Sequence, residues 1–357
     1  TLNARNDWSS TLPANNRSFF YPGANLAVVV SDALDLSDAK ISFLKVRAAV
    51  GQTGSDTDPY RIFNTLSRTS AALGFGNIIF PIAGVPGYSV SNVLNNADLR
   101  PEISTETEFG GEIRFFNNRL GIDASYYNRV TKDQIIPIAT APSTGVTSRV
   151  VNFGKVRNRG IELALTGTPI KNENFSWDIG YTFTRNRNMV LELPDGLDKL
   201  ILNTAYDAQF VARVGQPLGV FEAPVAQYDP QGRIIVGSNG FPLLAADNGN
   251  YGTSQRDFIM GLTNSFKFKQ FTLGFTLDYR KGGVFYSGTA DLLNFVGNDI
   301  KTLYNDRRTF IIPNSVVAVA NPGGGVSYVE NTTHITEGNV NALYYTNILE
   351  KNHFKNI

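Results

Sequence analysis

Cysteine is absent from the 357 residues, and histidine occurs only twice. The first absence removes disulfides, thiolate catalysis and Cys-ligated metal sites together. The two histidines, His334 and His353, have no second histidine or carboxylate at ligand spacing, so a metal site is not expected. Charge of one sign is also lacking. A formal net charge of +1 gives no basic surface for neutralising phosphates, which argues against nucleic acid as a partner. No Gly-x-Ser-x-Gly elbow, P-loop or dinucleotide fingerprint occurs. Long hydrophobic runs are missing too. Stretches such as Leu26 to Val30 and Ser315 to Ala320 fall far short of the ~20 residues a membrane helix needs. That excludes helical spanning but not a barrel, whose strands are apolar on one face only.

What is present points to strands. The chain holds 33 Gly, 24 Phe and 15 Tyr, with abundant Asn and Thr, a mix suited to strands and turns rather than helices. Period-two alternation recurs, and it comes in pairs. From Thr105 to Phe116 one face carries Phe109, Gly111, Ile113 and Phe115, the other Glu106, Glu108, Glu112 and Arg114. Asn117-Asn118-Arg119 suits a tight turn, since Asn tolerates positive φ. The return strand sets Leu120, Ile122, Ala124 and Tyr126 against Asp123, Ser125, Tyr127 and Arg129. A second pair joins Gly160–Thr168 to Trp177–Thr184, and a third joins Phe258–Phe268 to Phe271–Arg280 through Lys269-Gln270. A fourth pairs Phe19–Ala33 with Ile41–Gly51 across a polar turn at Asp35 to Asp38.

Alternation alone leaves two architectures equally open, because a soluble β-sandwich also has one apolar and one polar face per sheet. Strand length separates them. Pairs of roughly 10 to 13 residues exceed the ~5–6 of globular sheets and match the ~9–11 needed to cross a bilayer at a tilt. Connection lengths agree. Turns inside the hairpins are short, whereas Gln52 to Pro101, Thr131 to Val150, Val190 to Asp257 and the segment from Gly288 onward read as long loops. Phe115, Phe116, Phe175, Trp177, Phe268 and Phe271 gather beside the short turns, where an interfacial aromatic girdle falls. The expected fold is therefore all-β: about eight long antiparallel strands in four hairpins of a transmembrane β-barrel, with long extracellular loops.

Several stretches resemble the SusC/RagA family of TonB-dependent outer-membrane transporters. They include ARNDWSSTLPANNRSFFYPGANLAVVVSDA from Ala4, ISFLKVRAAVGQTG from Ile41, NADLRPEISTETEFGGEIRFFNNRLGIDASYYNRVTKDQI from Asn96, and NRGIELALTGTPIKNENFSWDIGYTFTRNRNMVLEL from Asn158. VGQPLGVFEA at Val214, GLTNSFKFKQFTLGFTLDYRKGGVFYSGTADLLNFVGN at Gly261, NDRRTFIIPNSVV at Asn305 and YVENTTHIT at Tyr328 follow in the same order. The resemblance implies that residues 1–357 are part of one barrel domain of roughly 22 strands, the size class of plugged outer-membrane transporters. It also implies import of oligosaccharides or peptides, a SusD-like lipoprotein lid, energy from the TonB complex, and no bond chemistry. The plug, the TonB-contacting segment, a signal peptide and the closing strands are expected to lie outside these residues; HFKNI reads as the first residues of a further strand.

On this reading Glu106, Glu108, Glu112, Arg114, Asp123, Tyr127 and Arg129 face a wet lumen as cross-strand pairs. The carboxylates also invite a glycosidase reading, in which two acids flank a scissile bond, but alternation beside arginines favours the structural role. Loop aromatics, among them Tyr88, Phe221, Tyr228, Phe241 and Tyr251 with Phe63 and Phe75, could stack on sugar rings or a lid, or pack within the loops. Asp247-Asn248-Gly249-Asn250 reads as a turn because the distal Glu of a calcium loop is missing. Tyr228 to Arg233 reads as a turn between short extended segments, and Lys281-Gly282-Gly283 as a strand bending out of the wall. Arg307-Arg308 suits a solvated loop or acids on a lid. A β-rich surface glycan-binding protein and a passive porin are the alternative functions; detergent dependence separates the first, and a plug with a TonB segment separates the second.

Overall fold

Phe116, Asn117 and Asn118 have φ values of 56°, 55° and 65°, and this left-handed run reverses the chain between two long strands. The computed structural model repeats that scheme along one antiparallel sheet whose strands follow in chain order: β1 (Leu2–Trp8), β2 (Ser18–Val29), β3 (Ile41–Ser55), β4 (Glu102–Phe115), β5 (Leu120–Ala139), β6 (Ser148–Lys171), β7 (Phe175–Glu192), β8 (Phe258–Phe268) and β9 (Phe271–Lys281). Val93–Leu94 adds a short parallel pairing to β6. The structure describes every residue except 35, 37–39, 69, 74–75, 195, 336–352 and 357, so Phe75 and most of the Asp35 to Asp38 turn lie outside the described residues.

All four expected hairpins are present, as β2–β3, β4–β5, β6–β7 and β8–β9. Two corrections follow. β1 was not expected: LNARNDW carries too few apolar residues to announce a strand, and its pairing to β2 from Leu2↔Ala24 to Trp8↔Ser18 defines it. Thr131 to Val150 is not a loop either. β5 and β6 pair onward to Ala139↔Ser148, which leaves only residues 140–147 as the connection. There the alternation dissolves into Ile135-Ile136-Pro137-Ile138, and Asp133 adopts a φ of 58°, so the period that marks a strand is lost although the ladder continues.

The chain divides into two units. The first comprises Thr1–Leu202, Ala212–Leu218 and Arg256–Lys281 and holds the whole long sheet. Its apolar face is uncovered. Phe109 is 61% exposed, Phe271 69%, Leu273 66% and Leu277 58%, and every residue of β9 is exposed. A sandwich would bury these side chains under a second sheet. The buried clusters of this unit lie near the long-loop ends of the strands: Ile138, Phe153, Val156, Val190 and Leu193 in one, Leu12, Phe19, Leu99 and Val150 in another.

The apolar face has the dimensions of a membrane belt. On β8 and β9, Phe268 and Phe271 mark the short-turn end, Phe258 and Tyr279 the other. Ten steps from Phe258 to Phe268 at ~3.4 Å, tilted ~45°, rise about 24 Å, which matches the ~25 Å apolar band of outer-membrane barrels. Trp177 stacks on Phe266 at 5.6 Å near the short turns, and its indole N–H donates to Asn264 Oδ1 at 3.1 Å, pairing a polar side chain that would otherwise stand alone on this face.

The second unit comprises Asn203–Val211, Gly219–Gln255 and Gly282–Ile357. Val220–Ala223 pairs with Gly249–Thr253, Ser315–Ala320 with Val326–Glu330, and Val284–Tyr286 with Phe354–Asn356, the segment expected to begin a further strand. A short helix, Gly288–Phe295, is capped by Ser287, whose side chain accepts from the Ala290 N–H. The expected turn after Tyr228 is formed as well. The Asp229 carboxylate accepts the N–H groups of Gln231 and Arg233 at 3.0 and 2.7 Å, and Gly232 supplies a φ of 78°. Gly282 and Gly283, at φ 80° and 89°, bend the chain where β9 ends.

Candidate functional site: the polar face of the sheet

Strand register turns the alternation into rows. Directly opposite residues on neighbouring strands run Gly51–Glu106–Arg129–Asn158–Asn188, then Ala49–Glu108–Tyr127–Gly160–Asn186, then Arg47–Gly110–Ser125–Glu162–Thr184, then Lys45–Glu112–Asp123–Ala164–Thr182. Their side chains leave the sheet opposite to Phe109, Ile122, Leu163 and Phe183, because side chains alternate along each strand. The seven residues singled out in the sequence, Glu106, Glu108, Glu112, Arg114, Asp123, Tyr127 and Arg129, therefore share one face of β4 and β5.

The charge pairing differs in part from the expectation. Glu106 and Arg129 do pair directly across strands. Arg114, however, bonds Glu112 of its own strand, with Nε to Oε1 at 2.7 Å. Asp123 is taken by Arg47 of β3, in a two-pronged contact of 2.9 and 2.7 Å, while Arg47 Nε also approaches Glu108 at 3.5 Å. To get there the Arg47 side chain crosses β4 over Gly110, where a Cβ would stand 2.7 Å from Nε. Tyr127 does the same one hairpin further. Its ring crosses β6 over Gly160, and the hydroxyl donates to Asn186 Oδ1 at 3.1 Å; Asn186 in turn donates to Asn158 at 3.0 Å. Two bare glycines thus let long side chains link strands that are not neighbours.

Arg47, Asn158, Glu162 and Asn186 belong to this face and were not singled out from sequence. The signal was there: Arg47 sits between Val46 and Ala48, at the polar phase of a strand read for its apolar side. The carboxylates form ion pairs, with Glu106, Glu108, Glu112 and Asp123 each meeting an arginine. None of these four stands free to act as the acid of a glycosidase pair.

The loop aromatics divide. Tyr251 is 7% exposed, stacked on Phe354 at 4.5 Å, with its hydroxyl donating to the Pro224 carbonyl; that burial pushes its phenol up to about 12. Phe221 packs between Phe210 and Phe354, and Phe241 against the cluster of Val236, Ile312 and Ile335. All three rings take part in the packing of the loops, Tyr251 buried and Phe221 and Phe241 partly so. Tyr88 and Tyr228 are exposed, at 54% and 49%.

Comparison with known proteins agrees with the geometry. The family described as TonB dependent receptor-like, beta-barrel matches residues 1–225. TonB-dependent receptor P3 of Formosa agariphila is 28% identical over 310 residues, covering 79% of this chain and 30% of that protein. TonB-dependent receptor SusC of Bacteroides thetaiotaomicron is 27% identical over 304 residues, covering 78% and 29%. Among solved structures the RagAB peptide transporter superposes with a TM-score of 0.66 at 21% identity, over 82% of this chain and 32% of that one. The chain thus spans about a third or less of the relatives it matches. A sheet with an uncovered apolar belt and an ion-paired polar face, matched over residues 1–225, identifies the chain as a member of the TonB-dependent receptor-like β-barrel family of the outer membrane.

Proposed function

We propose that this chain forms wall and outer loops of a SusC/RagA-type importer. In this reading the polar face, with Glu106, Glu108, Glu112, Arg114, Asp123, Tyr127 and Arg129, lines the lumen, and the apolar face meets lipid. A SusD-like lipoprotein lid covers the mouth, and the TonB complex supplies energy through parts of the protein outside these residues. The cargo is an oligosaccharide or a peptide. The observation that carries the reading is the two-faced wall itself. Arg47–Asp123 and Tyr127–Asn186 brace the polar face across strands, as suits a surface that meets water, plug and cargo while the other face meets hydrocarbon. The fold shared with the RagAB peptide transporter, and the relation to SusC, support import over a receptor without transport.

The test is growth of a strain deleted for the whole gene on defined peptides and on defined glycans as sole nutrient. Loss of growth on one class, restored by the gene but not when TonB is also removed, is the expected result. Uptake that persists without TonB would indicate a passive porin instead.

A further inference from the structure

Arginine accumulates on the apolar side of the sheet, in three successive outward rows toward the long loops. Along β6 the outward positions after Ile161, toward the long loops, are Arg159 and Arg157; along β7 those after Phe183 are Arg185 and Arg187. Register brings them together. Arg159 stands directly opposite Arg187, and Arg185 directly opposite Ile161. Like charges facing each other across a ladder are destabilising unless something neutralises them. Among the described residues one carboxylate does so: Asp257 bonds Arg187 at 2.9 Å. Among the described residues Arg157 meets only the Met189 sulfur, at 3.5 Å, and its buried Nε has no hydrogen-bond partner there. Arg159 and Arg185 are exposed, and neither has an ion-pair partner among the described residues.

The setting defines what completes the cluster. Ile161, Tyr126 and Phe109, all exposed, continue the row of Arg185, and Phe183 of the next row toward the short turns lies 5.7 Å from Phe258. Lys281, directly opposite Phe258 in register, adds another cation on this face. A ligand here meets guanidinium groups at one end and membrane-facing hydrocarbon at the other. Guanidinium favours phosphate because its fork matches two oxygens at once. We infer that Arg157, Arg159, Arg185 and Arg187 form an outward-facing site for the phosphate of an acylated glycolipid in the outer leaflet, its chains lying along the aromatic and aliphatic belt. Charge complementarity selects the headgroup, and the bordering apolar surface selects an amphiphile over a soluble anion. The site lies on the side of the wall opposite to the ion-paired face and is separate from any path through the lumen.

The experiment uses the whole protein in dodecyl maltoside micelles, with lipid A as the probe, both phosphorylated and enzymatically dephosphorylated. The unaltered protein should retain phosphorylated lipid A through purification, detected by native mass spectrometry, and bind added lipid A. The double variant Arg159→Gln with Arg185→Gln should bind it about tenfold or more weakly, the scale of losing charge-assisted contacts. Dephosphorylated lipid A should bind the unaltered protein as weakly, and Arg129→Gln on the other face should bind phosphorylated lipid A normally. Heat-modifiable gel migration reports whether each barrel is folded. Should the Gln variant misfold, Arg159→Lys with Arg185→Lys keeps the charge and loses the fork, and should bind with intermediate strength. Equal binding by a folded Gln variant and the unaltered protein, equal binding of dephosphorylated lipid A, or undiminished binding by a folded Lys variant where no Gln variant folds, would overturn the site.

Discussion

Arg47 on β3 reaches Asp123 on β5 by lying across Gly110 of the strand between them, at 2.9 and 2.7 Å. A neighbouring-strand pair needs no such passage. The contact therefore ties together three strands and depends on a residue that makes no hydrogen bond through a side chain of its own. Gly110→Ala should displace the guanidinium and break the two-pronged contact. Because Arg47 and Asp123 are each about a third exposed (29% and 39%), solvent screening limits the coupling between them to roughly 0.5–1 kcal/mol. A double-mutant cycle of Arg47→Met and Asp123→Asn, read by urea unfolding of the whole protein in lipid vesicles, should return that coupling, and the same cycle on the Gly110→Ala background should return none.

Gly160 is the harsher position. A Cβ there would meet the Arg185 carbonyl oxygen as well as the Tyr127 hydroxyl, both at 2.6 Å, and backbone cannot swing aside. Gly160→Ala is expected to destabilise by about 2–3 kcal/mol, more than Tyr127→Phe, which removes one hydrogen bond worth roughly 1 kcal/mol. The reverse order in the same unfolding measurement would contradict the crossing geometry.

On the apolar face, Trp177→Phe leaves Asn264 without the indole donor. The expected loss is about 1–3 kcal/mol, since an unpaired polar group faces hydrocarbon. Adding Asn264→Leu should recover most of it by removing the orphaned amide. Failure of the second substitution to rescue the first would show that packing of Trp177 on Phe266, rather than the hydrogen bond, is what matters.

The loop unit carries a pH dependence of its own. Burial, reinforced by the charge of Asp291, pushes Asp207 up to about 6. The folded state thus holds this proton over a range in which the unfolded chain, with an ordinary carboxyl near 4, has released it. Stability contributed here is full below about pH 4 and is lost as pH rises to about 6. Hydrogen exchange of the peptide spanning residues 203–211 should quicken from pH 4 to pH 7 beyond the intrinsic rate change, and Asp207→Asn should remove the extra acceleration.

Sequence legibility followed the period of two. Where apolar and charged residues alternate cleanly, as from Glu106 to Phe115, both the strand and its faces were readable. The polar-rich β1 and the Ile135–Ile138 stretch of β5 obey the same ladder but lack the alternation, so pairing alone reveals them. Arg47 shows a different limit. Its residue type and phase were visible, but its partner lies two strands away, and only register says which glycine it crosses. Tyr251, Phe221 and Phe241 show a third. An aromatic ring in a long loop looks the same in sequence whether it meets a ligand or fills a small core.

The central claim is that one face of this wall meets lipid and the other water. Because the chain lacks cysteine, single-cysteine variants along β9 can each carry one nitroxide in this segment, with any cysteine elsewhere in the whole protein removed. With the protein in lipid vesicles, spin-label collision with oxygen, which concentrates in hydrocarbon, is compared with collision with a water-soluble nickel chelate. The account predicts a period of two: oxygen dominates at Leu273, Phe275, Leu277 and Tyr279, and nickel gains at Thr272, Gly274, Thr276 and Asp278. Uniform nickel access along all eight positions would contradict it.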